Sequence, residues 1–338
     1  MPISPRRATL IEVAKMAGAS KTSVSRFFGT ERDKLSAELQ QRIGESAKSL
    51  GYRPNQMARG LKGGGSRLLG MLVADIRNPF SIAVMHGVEL ACRDYGYALI
   101  VCNTDNDPAL EQQHLATLAT YQVEGLIINA VGQPGQALQA LMESGVPLVL
   151  LDRDISRLNA EVIGLDNALA IDMALAHLSR QGYRSILYVS ETPERASARQ
   201  ERLQRFGEQA EAMGLGNQTL ILSHSELPSC ETALAMYVEQ QADSPCAVLC
   251  GNGTTLLTMA KCFKRLNLSM GPVGLMGIDE LEWCELLTPG ITTLAQPTDG
   301  IGRDSVACLI SQLARNKPSP PYQNRHAPRL IIRGSTAP

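Results

Sequence analysis

Lys21, Thr22, Ser23, Ser25 and Arg26 crowd hydrogen-bonding and cationic side chains into "SKTSVSRFF", residues 20–28. Such a set breaks no covalent bond. Held on one helix face, it offers donors and acceptors that match base edges and phosphate oxygens in a nucleic-acid groove. In the competing reading the hydroxyls only cap the helices of a solvated hairpin. Elsewhere the residue types that do chemistry are scattered. The five histidines, at 86, 114, 177, 224 and 326, show no metal spacing and read as surface or interface residues. The eight cysteines form no CxxC pair and read as buried thiols of a reducing compartment, with Cys246 and Cys250 on or beside a strand. "GNGTT" at 251–255 lacks the lysine and the length of a phosphate loop, and no GxGxxG follows the first strand. No catalytic residue, metal or cofactor is expected, and the chain does not read as an enzyme.

Charge separates the chain into two parts. Residues 1–67 hold thirteen Lys and Arg against five Asp and Glu, a net of +8, whereas the rest hold nineteen against twenty-eight, a net of −9. A small basic module joined to a larger acidic one suits phosphate binding by the first. No apolar run approaches the roughly 18 residues of a membrane helix, and "MPISPRRATLIEVAKMAG" lacks the apolar stretch of a secretory signal. The expectation is a cytoplasmic protein with no membrane partner.

The basic module must position its polar residues by helices. Thr9 and Glu12 predict a capping box before a helix over about 10–17, with Val13, Ala14 and Ala17 inward. Gly18 permits a sharp turn, and Ser20 caps a second helix near 21–28 with Val24 and Phe27 or Phe28 inward. Leu39, Ile43, Ala47 and Leu50 recur at helical spacing and predict a third helix over 37–50. This is a helix-turn-helix arrangement whose second helix fits a major groove. Beyond Arg67, apolar strands near 69–75, 97–102, 125–130, 147–152 and 161–166, then 185–190, 218–223, 246–251, 272–279 and 290–296, alternate with helix-length segments. That pattern predicts two parallel sheets covered on both faces, facing each other across a cleft.

"TLIEVAKMAGASKTSVSRFF" followed by "GYRPNQMARGL" resembles the lactose-repressor (LacI/GalR) family of bacterial transcription regulators. Glu12 replaces the family's usual Asp, Ala19 its Val and Ser23 its Thr, while Phe28 and Gly29 stand where Leu and Asn are common. These departures bear on operator preference and leave the fold reading intact. The larger module carries "DIRNPF" (75–80), "PLVLLDR" (147–153), "VGLMGIDE" (273–280) and "LTPGITTLAQPTDGIG" (287–302), all similar to the family's sugar-binding core. The resemblance implies an N-terminal all-α helix-turn-helix domain (8–53), a hinge helix and flexible linker (54–67), and an α/β two-lobed, periplasmic-binding-protein-like core (68–334).

The candidate DNA-binding set is Thr9, Ser20, Lys21, Thr22, Ser23, Ser25 and Arg26 in the head, with Asn55, Ala58 and Leu61 in the hinge. Asn55 is a sound cap after Pro54, and a helix over 55–62 is too short to persist alone in water. By resemblance, Ala58 allows two such helices to approach and Leu61 wedges between base pairs in the minor groove; the alternative for Leu61 is a buried linker contact. Also by resemblance, Phe80 walls the effector, and Asp152, Asp279, Arg202 and Asn252 bind it. Arg205 stands where the family has Gly, so Arg199 competes with Arg202 for the ligand-binding role. The structural alternatives pair Asp152 with Arg153 or another lobe residue, make Arg202 a surface charge and reduce Asn252 to a helix cap. Arg77, Arg195, Arg199, Arg202 and Arg205, all near expected cleft-rim loops, favour a sugar acid such as gluconate or a ketogluconate over a neutral sugar. The implied function is a homodimeric repressor of carbohydrate or sugar-acid utilisation genes, released from operator DNA by a small-molecule effector. A corepressor-dependent regulator and a sugar-binding protein without regulatory coupling are the alternatives.

Overall fold

A computed structural model describes residues 8–29, 31–52, 65–131, 135–155, 158, 160–194, 196–222, 227–241, 244–315 and 323–338. The chain divides into two compact units, Met1–Ser66 and Arg67–Pro338. The expected hinge residues Asn55, Ala58 and Leu61 lie outside the described residues.

The first unit is built as its apolar spacing requires. Helices α1 (Leu10–Ala17), α2 (Lys21–Phe27) and α3 (Ala37–Ser49) enclose Val13, Ala14, Ala17, Val24, Ile43 and Ala47. Thr9 and Glu12 form the reciprocal capping box at the start of α1. Ser20 Oγ accepts from Ser23 N at 3.0 Å at the start of α2. Between α1 and α2 the chain reverses at Gly18, whose φ of 59° is the left-handed value that favours glycine. Arg42, from α3, donates to Ala17 O at 2.7 Å and Gly18 O at 3.0 Å. Its cation therefore sits on the carbonyl end of α1, where the helix dipole favours positive charge. A 3-10 turn at Arg32–Lys34, which the spacing does not reveal, leads into α3.

The second unit contains two six-stranded sheets among the described residues. The first lobe is formed by β1 (Leu68–Val73), α4 (Pro79–Asp94), β2 (Ala98–Asn103), α5 (Pro108–Thr120), β3 (Gly125–Ile128), α6 (Gln136–Glu143), β4 (Leu148–Leu151) and β5 (Glu161–Leu165). The second lobe follows with α7 (Asn167–Arg180), β6 (Ser185–Glu191), α8 (Ser197–Ala212), β7 (Gly216–Leu222), α9 (Leu227–Gln240), β8 (Cys246–Cys250), α10 (Gly253–Arg265), β9 (Val273–Ile278), a one-turn α11 (Trp283–Leu286) and β10 (Thr292–Ala295). The chain then returns to the first lobe through α12 (Thr298–Arg315) and β11 (Gln323–His326), and closes on the second with β12 (Arg329–Ile331). Strand orders are β11-β5-β4-β3-β1-β2 and β12-β10-β9-β8-β6-β7.

Three features depart from the sequence reading. β11 and β12 are additional edge strands. The second sheet is not wholly parallel, because β12 runs antiparallel to β10 with Leu330 opposite Leu294. His177 is not at the surface: it is 3% exposed, with Nε2 2.8 Å from Thr336 Oγ1, and burial followed by the charge of Arg180 lowers its pKa.

Helices α4 and α12 meet through small residues. A Cβ at Gly302 would lie 2.5 Å from Val84 O and 2.7 Å from Val88 N, and one at Gly87 would lie 2.7 Å from Asp299 O. These neighbours are backbone atoms, so the helices themselves would have to separate. Gly302→Ala is expected to destabilise the protein by about 1–3 kcal/mol despite its better helix propensity. Urea unfolding checks this; an unchanged midpoint would show that the two helices are not held at this spacing.

Candidate functional site

The polar residues of α2 divide by exposure. Lys21, Thr22 and Arg26 are exposed, Ser23 and Ser25 are half-buried, and Val24 is wholly buried against the head's core. Thr9 and Ser20 are engaged as caps, and the Ser23 hydroxyl is 2.9 Å from that of Ser20. Arg26 Nε lies 3.2 Å from Glu31, which also pairs with Lys34. The face thus presents Lys21 and Thr22 at the N-terminal end of α2, where a groove-bound helix meets base edges. Arg42 was absent from the sequence-derived set because its partners are backbone carbonyls remote in the chain.

In the second unit, the carboxyl ends of both sheets border a cavity of about 300 Å³, the place where ligands of open α/β sheets bind. Phe80, Asp152, Arg199, Arg202, Asn252 and Asp279 all line it. Asn78 caps α4 by accepting from Phe80 N at 3.0 Å, which sets the Phe80 ring at the wall. Asp152 follows β4 and Asp279 follows β9, with φ values of 63° and 87°. Backbone strain of this kind in a non-glycine residue is tolerated where surrounding structure imposes it, and it clusters at ligand sites.

Arg202 is 5% exposed, so it is not a surface charge. Its Nε donates to Asn167 Oδ1 at 2.7 Å, its Nη1 to Gly251 O at 2.8 Å, and its Nη2 lies 3.8 Å from Asp152 Oδ1. Arg202 rises from the second lobe and Asp152 from the first, so the pair spans the cavity. Arg199 donates to Glu191 Oε2 at 2.6 Å, and the same oxygen accepts from Asn252 Nδ2 at 2.5 Å. Asn252 also caps α10, accepting from Thr255 N at 2.9 Å; the cap and the cavity position are both real. Asp279 accepts from Gly253 N at 2.8 Å and Gln296 Nε2 at 2.6 Å. Burial raises the Asp279 pKa, against these two donors and the charge of Arg202.

Two parts of the arginine expectation need correction. Arg205 does not line the cavity and is held by Asp172 through two bonds of 2.7 Å. Arg77 does line it, but is taken up by Asp75 at 3.0 Å and Asp105 at 2.8 Å. Arg195 lies outside the described residues. Sequence reasoning missed Glu191, Asn129, Asn106 and Gln296, and treated Arg153 only as a partner for Asp152; all five line the cavity. The position directly after a strand was the signal that could have found Asn129 and Gln296, and the second position after β4 the one that could have found Arg153.

The description "Bacterial regulatory proteins, lacI family" matches residues 9–55, and a periplasmic binding protein-like domain matches residues 175–336. The HTH-type transcriptional regulator PtxS of Pseudomonas putida is 44% identical, covering 98% of this chain and 97% of that protein. This chain belongs to the lacI family of bacterial regulatory proteins. The HTH-type transcriptional regulator KdgR of Bacillus subtilis is 34% identical over 97% of each chain. The lac repressor dimer, solved bound to operator and an anti-inducer, shares the fold with a TM-score of 0.82 at 20% identity, covering 98% of this chain and 100% of that one. As a member of the lacI family the protein is a DNA-binding transcriptional regulator, with a helix-turn-helix head and a two-lobed periplasmic-binding-protein-like core. Among the described residues, no helix is long and apolar enough to cross a membrane, and no cluster of three or more His, Cys, Asp or Glu is placed to hold a metal ion. The eight cysteines are free thiols, and Cys246 and Cys250 lie on β8.

Proposed function

We propose that the protein is a cytoplasmic, homodimeric repressor of sugar-acid utilisation genes, and that a polyhydroxy acid in the core cavity lowers its affinity for operator DNA. The observation that carries this reading is the cavity itself. Its charged groups come from both lobes, Asp152 and Asp279 at strand carboxyl ends and Arg199 and Arg202 on α8, in the same chain as a helix-turn-helix head. A ligand held by Arg202 and Asp279 on one side and by Asp152 and Phe80 on the other fixes the two lobes relative to each other. It shifts operator binding only by as much as it prefers one lobe arrangement. In the DNA-bound form, α2 places Lys21, Thr22, Ser23, Ser25 and Arg26 at the major groove. The hinge residues Asn55, Ala58 and Leu61 pair with a second copy at the minor groove. PtxS and KdgR, the relatives described above, support the regulatory part of this reading.

The test is operator binding by the full-length protein in a titration with gluconate, 2-ketogluconate and neutral hexoses. Release by an acid and not by the hexoses is expected. Indifference to every compound would reject an effector-coupled repressor, and tighter binding with a ligand would make that ligand a corepressor.

A further inference from the structure

Arg153 follows Asp152 directly at the end of β4, and it is 7% exposed. A guanidinium so enclosed normally faces a carboxylate, because an unpaired charge in a low-dielectric interior is costly. Here it does not. Arg153 Nη1 donates to Ala130 O at 3.0 Å, and Nη1 and Nη2 approach Asn106 Oδ1 at 3.3 and 3.4 Å. Both acceptors are neutral. Among the described residues no carboxylate oxygen lies within 4.0 Å of it; of the two alternatives for Asp152, the pair with Arg153 is not formed and the pair with a residue of the other lobe, Arg202, is. Burial, then the nearby Arg199 charge, pulls its pKa down to about 10, so it remains a cation at neutral pH. Asp152, Glu191 and Glu111 act on it only from a distance.

The other arginines of the cavity are already engaged. Arg77 is held by Asp75 and Asp105, Arg199 by Glu191, and Arg202 by Asn167 and the Gly251 carbonyl. The cavity also holds the complementary deficit. Asp152 Oδ1, which faces Arg202 Nη2 at 3.8 Å but accepts no hydrogen bond, and Gln296 Oε1 are buried acceptors with no hydrogen-bond partner. Such groups are normally satisfied, so each points to a donor that arrives with a ligand. A molecule that repairs both deficits carries one carboxylate and several hydroxyls. The volume of about 300 Å³ stands at the small end of ligand pockets, which suits a single sugar-sized molecule.

We propose that Arg153 receives the carboxylate of a polyhydroxy acid, while Asp152 and Gln296 accept from its hydroxyls, so that Arg153 selects the acid over its neutral counterpart. This rests on the reading of the cavity as the effector site and adds the residue that sets its chemical preference. It moves that role away from Arg199 and Arg202, to which the sequence alone pointed.

The test compares D-gluconate with its neutral isostere D-gluconamide by calorimetric titration of the full-length protein and of Arg153→Gln, Arg153→Lys and Arg199→Gln. The natural protein is expected to prefer the acid by at least about 30-fold, the scale of losing one partner of a buried charge pair. Arg153→Gln should bring the two ligands within about threefold, by weakening the acid and not the amide. Arg153→Lys should keep part of the preference, and Arg199→Gln, which loses a cavity cation but leaves the Arg153 guanidinium in place, should keep clearly more of it than Arg153→Gln does. The natural protein needs no variant to fold, so equal binding of acid and amide by it overturns the proposal outright. Loss of the preference in Arg199→Gln with retention in Arg153→Gln also overturns it. Equal binding accompanied by operator release would leave the effector reading standing and remove only the role of Arg153. No binding of either compound, with operator affinity indifferent to both, would remove the effector reading as well.

Discussion

Arg202→Leu is expected to give a protein that still binds operator but no longer responds to effector, and that unfolds at a lower temperature. The side chain is nearly enclosed, donates hydrogen bonds to two acceptors, Asn167 Oδ1 and Gly251 O, and stands 3.8 Å from the Asp152 carboxylate as its ion-pair partner. Leucine leaves them all unpaired in an interior that admits little water. Breaking a buried charge pair from one side costs about 3–5 kcal/mol. In a unit of this size each kcal/mol moves the melting midpoint by roughly 2–4 °C, so a drop of roughly 6–20 °C follows. Arg202→Lys should recover little, because one ammonium cannot replace a fork aimed at separate acceptors. Differential scanning calorimetry and effector titration on both variants check these effects. A melting temperature within a degree of the natural protein's would mean that Arg202 is not the tie the geometry describes.

The second large effect belongs to the head. In Lys21→Ala/Thr22→Ala, α2 keeps its cap at Ser20 and its buried Val24, so the head should fold unchanged. What is lost is the exposed pair at the helix start. Each good base contact is worth about 1–3 kcal/mol, or roughly fivefold to 150-fold in discrimination. Removal of one phosphate-seeking cation also lowers the slope of log affinity against log salt by about 1. Operator affinity measured at several salt concentrations, beside a scrambled duplex, separates the two. An unchanged ratio of operator to scrambled binding would exclude this end of α2 as the reading surface.

The sequence carried the head almost completely, because short helices with caps are governed by local chemistry. Thr9, Ser20 and Gly18 mark their boundaries through hydrogen bonds to near neighbours. Ten strands of the core were equally visible as apolar runs. β11 was not: "QNRH" contains no apolar residue, and its strand form comes from pairing with β5, where Asn324 faces Ile163. β12 is short, and its pairing partner lies far back in the chain. Within the cavity, residues in strand-end motifs were legible, as Asp152 and Asp279 show. Partner choice was not. Whether an arginine is spent on a neighbouring carboxylate, as Arg205 is on Asp172, or left without one, as Arg153 is, depends on side-chain directions that spacing does not encode.

The chain passes between the lobes three times, after β5, after β10 and after β11, and residues 323–338 contribute an outer strand to each sheet. During synthesis, therefore, the head is complete when neither half of the sensor can be. A ribosome that stalls before residue 323 leaves a polypeptide with a folded three-helix head and two sheets each lacking an outer strand, the kind of open border that recruits other strands. Premature termination late in the gene would thus produce aggregates and proteolytic substrates, not an unregulated repressor.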